Sequence, residues 1–364
     1  MAANFWESTQ RRNWLFTKEE LAARRQQLEN EDPSLVTMYP LPEWRHLYNY
    51  FNYQMLRLAK NLSIRQQAIA TAQVYMKRFY TRVEIRSTNP TLVLVTAVYL
   101  ACKMEEMPLH IRNVSLEAKK VWPMETPSLE IAKIGECEFW LISEMSAQLI
   151  VHQPYRTLTA LQQDFQLAND DHVLAVSFLN DHFMTDLPLL YAPHTIALAA
   201  IMLALVLRLS KASSSNSAAA GQQGGAPAGS LGITLAPGLS MFQQAVAAKA
   251  MTPGGNSGSS AMSSPIQQNP PNQPYQLTPQ QQEMFRQQQM QQQNRQSETQ
   301  AKDSPQKEKS KLQRFAAWLS ESGVDIEAMI DCTQELIAFY ECQESYNEQI
   351  TRDQINRFVK ARGL

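Results

Sequence analysis

TLVLVTAVYLACKMEE, residues 91–106, decides how the rest of this chain is read. From Thr91 to Cys102 a helix would carry apolar side chains on every side, and Lys103, Glu105 and Glu106 then follow. A helix that is apolar all round is enclosed by other elements. The run is far shorter than the roughly 20 residues needed to cross a bilayer. Pro90 suits the first helical turn, where the amide it lacks has no intrahelical partner. The segment predicts a central buried helix with one charged, reachable end. Lys103 at that end also complements the helix dipole, which is a purely structural reason for a cation there.

Outward from this segment the punctuation is helical. None of the twelve glycines precedes Gly135, and nine lie from Gly221 to Gly258. The region before Gly135 therefore holds no Gly-rich phosphate loop and no Asn-Gly or Gly-Gly hairpin turn. Prolines at 42, 90, 108, 123 and 127 mark short connections instead. The fold class is all-α. Thr17 followed by Glu20 reads as a capping box, starting a helix that runs to about Glu29. Trp44, Leu47, Tyr48, Phe51, Met55 and Leu58 form one apolar stripe. A third helix, from about Ile64 to Tyr80, points Ile69, Ala72, Met76, Phe79 and Tyr80 inward and Arg65, Gln66, Gln73 and Lys77 outward. Further helices are expected over Ile111–Val121 and from Ser128 to about Met145, the latter with Ile134, Cys137, Leu141 and Met145 on one side.

The pattern then recurs. Residues 173–209 repeat the order of residues 68–103: an amphipathic helix, a short loop ending in proline, and a helix apolar all round. Placing Pro193 on Pro90 sets Val206 where Lys103 stands. A tandem helical repeat is the economical reading. From about Lys211 to Gln306 the composition falls to Ser, Ala, Gly, Pro and Gln, too poor in apolar residues to offset the entropy of ordering. Helical patterns return at KLQRFAAWLSES, at DIEAMIDCTQELIAFYECQ and over 346–360. The expected organisation is an N-terminal arm and helix (1–42), a first five-helix unit (43–150), the first part of a second (151–210), a disordered insert (211–306), the remaining helices of the second unit (307–345) and a C-terminal helix or tail (346–364). Loop-closure entropy rises slowly with length, so an insert at this point is tolerable.

Composition narrows the function classes. Thirty-three basic residues against 34 acidic ones leave a formal charge of −1, which speaks against a broad basic face for nucleic acid. Cys102, Cys137, Cys332 and Cys342 show no C-x-x-C spacing, so neither a zinc site nor a disulfide framework is expected. The opening MAANFWESTQRRNW lacks the apolar stretch of a secretory signal, and the chain reads as soluble and intracellular. The six histidines are scattered without ligand spacing, and no metal or cofactor is expected. Acids in NDDH (169–172) and MTDL (184–187) read as helix caps and loop ends. No nucleophile elbow occurs, and no catalytic residue is assigned. Two features remain: Lys103 with Glu136, a carboxylate placed between Ala132 and Trp140, and the aromatic-basic arm holding Phe5, Trp6, Arg11, Arg12 and Trp14. The arm reads equally as a packed segment or as a partner-docking one.

These residues resemble the cyclin family. NFWESTQRRNWLFTKEELAARRQQL, IRQQAIATAQVYMKRFY, VYLACKMEE, ECEFWL and LIVHQPYRTL, in that order, resemble the cyclin C subfamily, in its fungal form. The likeness covers roughly 1–210 and 311–345 and omits the insert. It implies tandem five-helix cyclin folds and no enzymatic activity of the chain's own. It also implies kinase contacts at Lys103, Glu106 and Glu136, with Lys103 and Glu136 clamping the kinase backbone. The implied partners are cyclin-dependent kinase 8, Mediator subunits 12 and 13 and core Mediator. The implied setting is nuclear control of RNA polymerase II transcription, often repressive, with the kinase phosphorylating the polymerase C-terminal domain. Neither direct nucleic-acid binding, membrane association nor homo-oligomerisation is expected. The substrate-docking M-R-A-I-L motif of cell-cycle cyclins is replaced here by EWRHLYNYFNYQML, which puts recruitment by that route in doubt. Thr252, Ser264, Thr278 and Ser304 each precede proline and are candidate phosphorylation sites, and KEKSK (307–311) is a weak import signal. Alternatives are another transcription cyclin of the H, K, L or T type, a cyclin-fold factor resembling transcription factor IIB, or an unrelated helical enzyme.

Overall fold

The structure, a computed structural model, describes residues 4–218 and 305–364, with side chains described over 4–208 and 311–364. Among the described residues there are fifteen α-helices and no strands. They are α1 (Thr9–Asn13), α2 (Lys18–Glu31), α3 (Pro33–Met38), α4 (Trp44–Leu62), α5 (Gln66–Phe79), α6 (Pro90–Met104), α7 (Ile111–Val121) and α8 (Ile131–Glu144). The chain continues through α9 (Tyr155–Asp164), α10 (Asn169–Asp181), α11 (Leu187–Leu190), α12 (Pro193–Ala218), α13 (Pro305–Glu321), α14 (Ile326–Ser345) and α15 (Glu348–Arg362). The described residues up to 208 and from 311 onward form one compact unit.

The central helix forms as its sequence dictates. The Asn89 side chain accepts from the amides of Thr91 and Leu92, capping α6 at 2.9 and 3.2 Å, with Pro90 in the first turn. Every residue from Val93 to Cys102 is buried. α4, α5, α7 and α8 surround it, and Leu47, Phe51, Met55, Ile69, Met76, Phe79, Val114, Ile134 and Leu141 join it in one core. The capping box at Thr17 and Glu20 is present and starts α2. α9, α10, α12, α13 and α14 repeat the five-helix order, α12 standing where α6 does and opening on Pro193 as α6 opens on Pro90. Their core is Leu158, Phe178, Ile196, Leu198, Ile201, Phe315 and Leu336 with their neighbours.

Three expectations change. Gln73 and Lys77, expected outside, are 5% and 1% exposed. The second repeat's 3-10 turn, His182–Met184, and α11 pack on the outer face of α5, so that helix is buried on both sides. Asp171 of NDDH is not a solvated cap. Besides accepting from the Ala168 amide, its buried carboxylate meets Lys311 at 2.9 Å and Arg208 at 3.0 Å. The expected insert 211–306 is helical at both edges, since α12 runs to Ala218 and α13 begins at Pro305. Its remainder, with Thr252, Ser264, Thr278 and Ser304, lies outside the described residues.

Candidate functional site

Lys103 ends α6 and reaches outward. Its Nζ donates to both carboxylate oxygens of Glu138 on α8, at 2.7 and 3.0 Å, and lies 4.5 Å from the centre of the Tyr99 ring. Partial desolvation would lower the amine's pKa, but the Glu138 carboxylate and the Tyr99 ring prevail and raise it above the ordinary lysine value. The carboxylate that meets Lys103 is thus Glu138, where the sequence reading had Glu136. Two residues along a helix turn the side chain by about 200°. Glu138 falls at the edge of the buried line Ile134, Cys137 and Leu141, which faces α6, whereas Glu136 is exposed and has no hydrogen bond or ion pair among the described residues.

The turn after Lys103 is built with care. The Met107 amide donates to the Cys102 carbonyl at 2.9 Å and the Glu106 amide to the Lys103 carbonyl at 3.4 Å. This is a Schellman ending, and it puts Glu106 at φ 52°, a left-handed position normally taken by glycine. Holding a non-glycine residue there costs about 1 kcal/mol, as it does at Ser63, Ser146, Ala147 and Gln166, and the Glu106 side chain stays exposed. Glu105 faces the other way. It accepts from Thr71 Oγ1 at 2.6 Å and Gln67 Nε2 at 2.5 Å, bracing the end of α6 against α5. Gln153 donates to Thr71 Oγ1 at 2.6 Å and ties the inter-repeat connection into the same brace. Phe139, next to Glu138 in the chain, is 77% exposed, and Met104, next to Lys103, also lies open. Glu105, Glu138 and Phe139 were missed in the sequence. The burial period of α8 was the signal that could have found Glu138.

The N-terminal arm divides in two. Trp14 is buried, with its indole donating to Gln148 Oε1 at 2.8 Å and the guanidinium groups of Arg78 and Arg82 at 5.1 and 4.8 Å from its ring centre. Gln10 exchanges hydrogen bonds with the backbone of His152, and the Phe16 amide donates to the Leu189 carbonyl at 2.9 Å. Trp14 is therefore part of the core. Phe5, Trp6 and Arg11 stay at the surface, Phe5 against His152, Trp6 against His194, and Arg11 stacked on Trp6. Burial lowers the pKa of both histidines, with Arg78 and Arg156 adding to the effect at His152. Arg12 is exposed, and its guanidinium has no partner among the described residues.

The described residues contain no cluster of His, Cys, Asp and Glu able to hold a metal ion, and no helix long and apolar enough to cross a membrane. What the surface offers is a charged pair that joins the open end of the enclosed α6 to α8, with exposed Met104 and Phe139 next to it in the chain.

The chain is similar to curated fungal proteins along its whole length. It is 98% identical over 364 residues to the "RNA polymerase II holoenzyme cyclin-like subunit" of Pyricularia oryzae, covering 100% of each chain. It is 55% identical to the protein of that name in Neurospora crassa, covering 100% of this chain and 99% of that one. The "Cyclin, N-terminal domain" family matches residues 20–150. The chain belongs to the cyclin family. Among solved structures, this cyclin resembles a chain of the CAK complex from Chaetomium thermophilum at 23% identity and TM-score 0.47, covering 59% of this chain and 72% of that one. It also resembles a chain of the yeast TFIIK complex at 20% identity and TM-score 0.46, covering 57% and 92%. The family match spans the first repeat, which is the one that carries Lys103 and Glu138. In the second repeat the matching position of α12 is Val206, half-exposed and without charge.

Proposed function

We propose that this cyclin is a cyclin C-type regulatory subunit that binds and activates cyclin-dependent kinase 8. In this reading the pair works in the Mediator kinase module with subunits 12 and 13, in the nucleus, as part of the RNA polymerase II holoenzyme. It regulates transcription, often by repression, and the kinase's phosphorylation of the polymerase C-terminal domain is one output. The relatives' shared name and the five sequence strings support this assignment. The observation that carries the kinase contact is the Lys103–Glu138 pair at the open end of an enclosed helix.

The chemistry is that of a clamp. An ammonium offers donors to backbone carbonyls and a carboxylate accepts from backbone amides, so the two together can hold one peptide segment. In the free chain they satisfy each other, which keeps both side chains oriented. Docking exchanges part of that bond for bonds to the kinase, with Glu106, Phe139 and Met104 beside it. The cyclin supplies no catalytic group. It acts by packing on the kinase's αC helix, holding the glutamate there in its ion pair with the strand-β3 lysine, which catalysis requires. The surface cluster of Phe5, Trp6 and Arg11, with Arg12, serves contacts to other subunits.

Co-purification with cyclin-dependent kinase 8 of the same organism tests this. Lys103→Glu and Glu138→Lys should each cut binding and kinase activation at least tenfold while the melting temperature stays close to wild type. Glu136→Lys should act weakly. Wild-type binding that survives both reversals would remove the clamp. Recovery of a different transcription kinase instead would point to an H, K, L or T type cyclin.

A further inference from the structure

α14 carries two apolar faces. Met329, Cys332 and Leu336 fill the second repeat's core. On a separate face Ile326, Ile330 and Ile337 are 47%, 46% and 41% exposed. At i, i+4 and i+11 these three project in one line, about 16 Å long at the helical rise. Helix formation does not account for them, because β-branched residues are poorer helix formers than the Ala, Glu, Lys or Gln that suit an open surface. An outward stripe of this kind belongs to a helix that meets a second partner.

The charges on α14 are one-sided. From Ile326 to Ser345 there is no Lys, Arg or His, while Glu327, Asp331, Glu335, Glu341 and Glu344 are acidic. Asp331 is paired with Lys18 and Glu335 with Arg45. Glu327, Glu341 and Glu344 have no ion pair among the described residues. Glu341 and Glu344 also stand toward the C-terminal end of the helix, where the dipole disfavours anions. Within the folded chain Glu341 and Glu344 oppose helix stability with no ion pair among the described residues to offset it, whereas Glu327, in the first turn, suits the dipole. Outside it the three border the isoleucine line at both ends.

We propose that this face of α14 docks an amphipathic helix of a partner protein. The partner's apolar stripe lies along Ile326, Ile330 and Ile337, and its flanking Lys or Arg residues meet Glu327, Glu341 and Glu344. The negative charge selects against the other occupant such a stripe could take. A second copy of α14 would bring three unpaired carboxylates against their own kind. The surface lies on the second repeat, apart from the Lys103–Glu138 pair of the first, so this contact is separate from the kinase clamp.

The full-length chain can be titrated into a fluorescein-labelled helical peptide of Leu and Lys, with Leu on one face, and followed by anisotropy. The same peptide with Glu in place of Lys is the charge control. The Leu/Lys helix should bind at least tenfold more tightly than the Leu/Glu helix, and less tightly as salt is raised. Ile330→Gln with Ile337→Gln, and separately Glu327→Lys with Glu341→Lys, should each weaken binding at least tenfold, whereas Phe139→Ser on the other apolar patch should change it less than twofold. All these positions are exposed, so unchanged melting curves confirm that the variants are folded. Equal binding by wild type and both α14 variants would overturn the proposal, as would equal binding of the two peptides or loss of binding in Phe139→Ser. Sedimentation that shows a wild-type dimer dissolved by the isoleucine changes would also overturn it, giving the face to a second copy.

Discussion

Lys77 is the residue whose placement runs hardest against its chemistry. Its side chain is buried, its Nζ has no hydrogen-bond partner, and it lies 2.9 Å from the centre of the Tyr48 ring. Burial drives its pKa far below the ordinary 10.5, with Asp186 and Glu335 pulling it up and Arg25 pushing it down. The folded chain thus holds this amine neutral across a pH range in which the unfolded chain keeps it protonated. Unfolding takes up a proton, so stability rises with pH until the unfolded value is reached. Lys77→Met keeps the stem and removes the polar head, and should stabilise the fold at pH 7 by about 1–3 kcal/mol. Thermal melts across pH check this. The gap between variant and wild type should close toward pH 10 and grow as the pH falls below the unfolded value. A variant that melts lower at pH 7 would mean the amine is satisfied in a way the geometry does not show. Lys77 also shows where reading from sequence stops. The period of α5 identifies Ile69, Ala72, Met76 and Phe79 as inward, but nothing in α5 itself says that a second repeat covers its other side. Which of Glu136 and Glu138 meets Lys103 is hidden for a related reason. Both are carboxylates on one helix, and only the meeting line of α8 with α6 separates them.

At the scale of elements, long helices with chemical punctuation were legible and short ones were not. Thr17 and Glu20, Pro90 and Pro193 each mark a real helix start, because caps and first-turn prolines act locally. α1, α3 and α11 span five, six and four residues, too few for a period to register. The least legible joint is the one Asp171 makes. This side chain caps the start of α10 and also receives Arg208 from α12 and Lys311 from α13, with Lys311 itself almost wholly buried. Three elements meet on one carboxylate, and its partners lie on opposite sides of the insert. Removing one member of a buried pair strands the other charge, at a cost of about 3–5 kcal/mol. Asp171→Ala should therefore lower stability by that order in urea titration, while Asp170→Ala, which removes a largely exposed carboxylate, should change it by well under 1 kcal/mol. Equal effects at the two positions would reduce Asp171 to an ordinary helix cap.

Over the whole molecule, the second repeat is closed by elements that the sequence places far apart, and the C-terminal helix crosses back to the first. Ile355, Phe358 and Val359 of α15 enter the same core as α6, and the Leu364 carbonyl accepts from Asn89 at 3.4 Å and Ser128 at 3.3 Å. The amphipathic pattern of 346–360 foretells a helix, but which core it fills depends on packing between distant segments. The insert poses the inverse question: whether a long excursion between α12 and α13 burdens the fold. Arg208 and Lys311 share one carboxylate, so the compact unit delivers the chain to the place where it must be taken up again. What a connection of this length costs in closure entropy rises only slowly with its length. Replacing residues 214–306 by about ten Gly and Ser residues shortens the connection by roughly three halvings, worth about 2 kcal/mol. The shortened chain should fold and show a higher urea midpoint with an unchanged slope. Asp171→Ala should cost as much in the shortened chain as in the full one, since the clasp and the loop are separate contributions. A shortened chain that fails to fold would show that the segment supplies structure to the second repeat. A loss of the Asp171 effect would show that the short linker, and not the clasp, brings α12 and α13 together.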